Sequence, residues 1–126
     1  MIRIAKWNET FETAATRKLV RLQWLHMPTG NDSAGYVSLM AIGEPGIVAF
    51  AVFTAICQWS ATCPPVVRQS SASHPPLVRG SLARSDGRPL TIAQLSMFIR
   101  MPAEVVERSI EILSSPDVGW LVIEDP

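Results

Sequence analysis

Apolar residues recur at helical spacing in several stretches of this chain, and short runs of turn-forming residues separate them. Over residues 9–23, Phe11, Ala15, Leu19 and Leu22 fall on one face and predict a core-facing helix. Asn8 stands where an N-cap is needed, with Glu9 and Glu12 in the first turn and Arg17, Lys18 and Arg21 in the later ones, as the helix dipole favours. Residues 24–27 then read as extended into Pro28, and residues 29–35 as a loop rich in Gly, Asn, Asp and Ser. A short apolar segment at 36–42, helix or strand, ends at the breaker Gly43-Glu44-Pro45-Gly46. Residues 46–61 are apolar almost all round, which predicts a central packing helix. Their most apolar run is shorter than the about twenty residues a membrane span needs.

Residues 62–78 carry four prolines and a cluster of serines, which predicts an extended linker or surface loop. A short strand is expected at 78–84 and a turn at 85–89. Thr91 is a good N-cap for a helix to about Arg100, with Ile92, Leu95 and Ile99 on its buried face. Met101-Pro102 interrupts it. Proline cannot continue the first helix but suits the first position of a second, running to about Ser114 over Val106, Ile110 and Leu113. A turn at 114–119 leads into a strand at 119–123, expected to pair with the strand near Leu82. Strand, helix, tight turn, helix and strand is the order of a winged helix. The predicted architecture is therefore mainly α with a small β-sheet, in one domain. It comprises a helical part (1–61), a Pro/Ser-rich loop (62–78) and a winged-helix unit (79–124) in the C-terminal third. The last strand stops where a full wing would turn and return, as in a wingless variant or the front part of a longer protein.

A chain of 126 residues with 48% hydrophobic content can bury a core without metal or disulfide staples. Its formal net charge is zero, so bulk electrostatics give no push toward nucleic acid or an anionic membrane. The charges are unevenly placed, however. Residues 68–100 hold five arginines (Arg68, Arg79, Arg84, Arg88 and Arg100) against Asp86 alone. Residues 102–126 hold six acids against Arg108 alone. The opening residues lack the apolar run of a secretory signal, and two cysteines are too few for a disulfide framework, so a cytoplasmic protein with reduced thiols is expected.

Catalytic and metal-binding signatures are sparse. Cys57, Cys63, His26 and His74 have the ligand count of a zinc site, but the C-x5-C spacing fits no common zinc motif. The sequence has no P-loop, dinucleotide fingerprint or nucleophile elbow, so neither an enzyme nor a cofactor or metal protein is expected. Trp7, Trp24, Trp59 and Trp120 read mainly as core, with base stacking the alternative. Trp120 is expected to plug the space between the small sheet and the helix pair.

The arrangement T-I-A-Q-L (91–95), M-P-A-E-V-V-E (101–107) and V-G-W-L (118–121) resembles the winged-helix domains that open phage replisome organisers and DnaD-like replication initiators. The opening K-W-N-E-T-F (6–11), onward to Trp24, is similar to phage-associated proteins of that kind. The resemblance covers the last forty or so residues better than the first seventy. It implies a duplex-DNA-binding module of replication or transcription regulation, with the helix at 102–114 entering the major groove.

The outward residues of that helix are Glu104, Glu107, Arg108 and Glu111, a set that would repel phosphates. Two arrangements avoid this conflict. In the first, DNA meets Arg79, Arg84, Arg88 and Arg100, joined by Arg17, Lys18, Arg21 and Arg108 as further candidate contacts. In the second, the acidic helix docks another protein or a second copy of the chain, without DNA. No membrane partner is expected.

Overall fold

The computed structural model describes residues 1–13, 15–22, 34–64, 66–67 and 77–124. The described chain is mainly helical with a small three-stranded antiparallel sheet. Strand β1 (Ile2–Ile4) lies at the centre of that sheet, between β4 (Ser81–Leu82) and β5 (Leu121–Ile123). Ile2 pairs with Leu82 on one side and with Ile123 on the other, and Ile4 pairs with Leu121. The strands near Leu82 and Trp120 therefore do not pair directly, as the sequence pattern had suggested, because the opening residues separate them. Three alternating residues, Ile2, Arg3 and Ile4, are too short a pattern to stand out in sequence. In the sheet, Ile4 is fully buried and Arg3 reaches outward to Glu124, with 2.7 Å between Nη2 and Oε1.

The helix expected over 9–23 is instead a short one, α1 (Trp7–Phe11), followed by a 3-10 turn at Thr16–Lys18. Asn8 lies inside α1, and the N-cap position is Lys6, in the left-handed region at φ 53°. The physical reason is local competition for backbone donors. Thr13 N–H donates to Thr16 Oγ1 at 2.7 Å, and Thr16 N–H donates to Thr13 Oγ1 at 3.2 Å. These side-chain bonds replace the ones a continuing helix would need. Glu12, at the C-cap, is extended at φ −128°, ψ 152°. Phe11 and Leu22 are buried as expected, whereas Ala15 and Leu19 are exposed. The segment expected to be extended at 24–27 lies outside the described residues, as does most of the loop at 29–35.

Helix α2 (Ala34–Ala41) resolves the helix-or-strand ambiguity at 36–42, and α3 (Glu44–Ala61) begins two residues earlier than the pattern implied. The two meet closely at Gly46, where an added Cβ would lie 1.9 Å from the Leu39 carbonyl oxygen. Only glycine fits there. Ala49, Val52, Phe53, Ile56 and Cys57 line the buried side of α3. The region 62–78 is not wholly irregular, because β2 (Val66–Val67) pairs antiparallel with β3 (Leu77–Val78). The residues between those strands, 68–76, lie outside the described set. The single strand expected at 78–84 is two short ones, β3 and β4, parted by Arg79 and Gly80.

Helices α4 (Ile92–Ile99) and α5 (Ala103–Leu113) form an elbow through Arg100, Met101 and Pro102. Thr91 and Gln94 make a full capping box: Gln94 N–H donates to Thr91 Oγ1 at 3.1 Å, and Thr91 N–H donates to Gln94 Oε1 at 3.0 Å. At the other end Arg100 is left-handed, φ 58°, and Ser96 Oγ donates to the Met101 carbonyl at 2.6 Å. Pro102 is the N-cap of α5, one position before the first helical residue that the sequence suggested for it, and Val106, Ser109, Ile110 and Leu113 of the helix are buried. Helix α3 packs against both α5 and α4, and most extensively against α5. Trp120 is half-buried, with its ring 5.0 Å from that of Phe53 and 6.1 Å from that of Phe50, so it bridges the sheet end to α3.

Because the capping box is the whole N-terminal anchorage of an eight-residue helix, Thr91→Ala is expected to cost about 1 kcal/mol, or roughly 3–6 °C in Tm. Thr91→Ser, which keeps the acceptor, restores most of that loss. Thermal melts of the three proteins by circular dichroism check this.

Candidate nucleic-acid interface

The eight cations proposed from sequence have different fates. Arg79 is inside the protein. Its side chain is 0% exposed, and Nη1 lies 3.4 Å from Oε1 of Glu12, itself 2% exposed. Nη2 donates to the Leu19 carbonyl, and Trp7 Nε1–H donates to the other Glu12 oxygen at 2.5 Å. Arg79 is therefore corrected from a surface phosphate contact to a buried structural cation. Its place is set by the chain turning at Gly80 (φ 101°), where an added Cβ would lie 2.6 Å from Trp7 Cβ and Cγ. The close approach of Gly80 to Trp7 brings Arg79 to the carboxylate that Trp7 also binds.

Arg84 and Arg88 are exposed in the tight hairpin that leads from β4 to α4. Arg84 N–H donates to the Arg88 carbonyl at 2.7 Å, and Ala83 bridges Pro89. Asp86 sits between the two guanidinium groups, 3.5 Å from Arg84 Nη2 and 3.6 Å from Arg88 Nε. The backbone N–H of Arg88, then the two arginine charges, hold the Asp86 carboxyl below its ordinary range. The hairpin keeps two cations against one anion. Arg100 is exposed at the C-cap of α4, so helix and elbow set it roughly 12 Å along the axis from the hairpin end, at 1.5 Å per residue.

Arg108 is exposed on α5 among Glu104, Glu107 and Glu111. These four occupy the stripe opposite Val106, Ser109, Ile110 and Leu113, so the outer face of α5 is acidic, as its sequence indicated. Arg17, Lys18 and Arg21 are exposed on the segment around the 3-10 turn rather than on a long helix. Arg17 Nη2 donates to the Asn8 carbonyl at 3.1 Å.

Of the zinc candidates, both histidines lie outside the described residues. Among the described residues, no group of three or more His, Cys, Asp or Glu side chains could hold a metal ion. Cys57 is fully buried, and burial pushes its thiol up to about 12. Cys63 is also raised by burial, opposed by the nearby Arg79 charge. Among the described residues, no helix is long and apolar enough to cross a membrane.

Sequence reasoning missed the outer face of α4. Met97 and Phe98 fall off the Ile92–Leu95–Ile99 stripe and are 75% and 51% exposed. Phe98 stacks on the half-buried Trp59 of α3, with centroids 5.6 Å apart and planes at 15°. The signal was legible, since two large apolar residues off the core stripe of an amphipathic helix must face outward. Comparison of the chain with protein-family models, with curated proteins and with solved structures returns no match.

Glu12→Gln strips a buried guanidinium of its counter-charge and is expected to cost about 3 kcal/mol in urea unfolding. Glu12→Leu combined with Arg79→Met recovers most of it, because no unpaired charge remains. Cys57 keeps its proton while the unfolded thiol ionises above its ordinary value of 9.0. Its contribution is therefore lost as pH rises from 9 toward about 12. In the native protein at mild alkaline pH, iodoacetamide is expected to modify Cys63 well before Cys57, as read by peptide mass spectrometry.

Proposed function

We propose that this chain is a nucleic-acid-binding module of the winged-helix kind, serving phage or bacterial replication or transcription regulation. The observation that carries this reading is the order α3, β4, α4, α5, β5, with the three helices packed on one another and sharing a single core with the small sheet. In that sheet β1 lies beside β5, in the position a returning wing strand would take. The resemblance of residues 91–121 to replication-initiator domains points the same way.

In this reading the phosphates of duplex DNA meet Arg84 and Arg88 on the hairpin and Arg100 at the elbow, at the two ends of α4. The acidic outer face of α5 turns away from the backbone instead of entering the groove. Arg108 is surrounded by acids, and Arg79 takes no part. The module has no catalytic role here, and fold alone would not have assigned one.

A second reading, protein docking without DNA, is favoured by one observation, the continuous acidic stripe Glu104–Glu107–Glu111 on α5. A basic partner or a second copy would fit it. Light scattering and a gel shift on the same preparation separate the two readings. A monomer that retards duplex supports the first, and an oligomer indifferent to DNA supports the second.

For the DNA reading, affinity for a duplex is expected to fall steeply with salt. Replacing Arg84, Arg88 and Arg100 by Ala should weaken all duplex sequences about equally and flatten the log–log salt slope by about 3. Titrations by fluorescence anisotropy at several salt concentrations measure this. Absence of binding at low salt would sink the reading.

A further inference from the structure

We propose that the exposed face of α4 is a stacking platform on which Phe98, backed by Trp59, takes an unpaired base of single-stranded nucleic acid. This rests on the nucleic-acid reading above and states which strand form this face would hold.

Three observations converge on α4. The first is the aromatic pair itself. Half-buried Trp59 is fixed in α3, and Phe98 stacks nearly parallel to it at 15° while remaining 51% exposed. A ring held in one plane by a second ring loses little freedom when a flat ligand covers it.

The second is that the two helices carrying the rings hold no carboxylate near them. Residues 87–103 contain no Asp or Glu, and neither does α3 from Pro45 to Ala61. The acid of α3, Glu44, stands at the end away from Trp59, roughly 22 Å off at 1.5 Å per residue. The acids of α5 occupy its outer stripe, on the side opposite its packing contacts with α3 and α4. The third is the placement of cations. Arg100 is exposed two residues beyond Phe98, and Arg84 and Arg88, which share the Asp86 carboxylate and leave one net positive charge, precede the other end of the same helix.

An exposed aromatic ring on a helix with arginines before its start and at its C-cap suits the chemistry of a base flanked by phosphates. Duplex DNA hides its base faces within its own stack, so only an unpaired strand can offer one to Phe98. An amphipathic protein segment would fill the same apolar area but gains nothing from the stacked rings.

The test uses the full chain in anisotropy titrations at low salt. The probes are a fluorescein-labelled oligothymidylate of roughly 12 nucleotides, near a typical single-strand site size, and a labelled duplex. Phe98→Ala is expected to weaken oligothymidylate binding on the order of tenfold, with duplex binding little changed. Phe98→Tyr, which keeps the ring, should bind like the parent, and Phe98→Leu, which keeps only the apolar bulk, should fall with Phe98→Ala. Melting curves confirm that each variant is folded.

Undiminished binding by Phe98→Leu would overturn stacking in favour of general apolar contact. Single-strand affinity indifferent to Phe98, or duplex binding with no single-strand binding, sinks this inference while leaving the functional reading intact. Failure to bind either probe removes both.

Discussion

Backbone pairing of Ile2–Ile4 between Ser81–Leu82 and Leu121–Ile123 is the constraint on which the rest of this structure depends. Three residues at the start of the chain satisfy the inner edges of two strands that would otherwise have no partner in the sheet. The main-chain bonds continue past the strands: Ile4 N–H donates to the Gly80 carbonyl and Ala5 N–H to that of Trp120. Once β1 is in place, Trp7 must lie against Gly80, and Glu12 follows it to Arg79. Without β1, neither the hairpin that presents Arg84 and Arg88 nor the seat of Trp120 would have a fixed floor.

The same constraint redistributes charge. A chain read as basic and then acidic places one cation, Arg79, at its centre and ties another, Arg3, to Glu124 across the sheet. What remains outside on the helix pair is segregated, with arginines at the ends of α4 and acids along α5. Burying the Arg79–Glu12 pair carries a desolvation cost, which the hydrogen bonds from the Trp7 indole to Glu12 and from Arg79 to the Leu19 carbonyl offset only in part, because Arg79 Nε and Nη1 and Glu12 Oε1 have no hydrogen-bond partner. The pair is better understood as a lock on the path of residues 7–22 than as a source of net stability.

Helix–elbow–helix units are generic scaffolds, and their use is decided by what their outer faces carry. Here the outer face of α5 is acidic, whereas α4 exposes Met97 and Phe98, with arginines in the hairpin before it and at its C-cap. In the nucleic-acid reading proposed above, that distribution favours α4 over α5 as the contact surface.

Strong local signals were legible in the chain. The N-cap at Thr91, the proline break at 102, the buried stripes of α4 and α5 and the acidity of the α5 outer face all follow from spacing and residue type, because each is decided within one or two turns of helix. The opening segment was not legible. Its apparent helical period over 9–23 was outweighed by the Thr13–Thr16 exchange, and Ile2–Ile4 is too short to read as a strand until it has two neighbours. Arg79 and Arg84 look alike in sequence. One is buried and the other exposed only because of where Trp7 and Glu12 arrive from far along the chain. Composition and periodicity determined the helices, whereas long-range pairing decided which strand closed the sheet and which charges stayed at the surface, since those energies exist only between segments brought together by the fold.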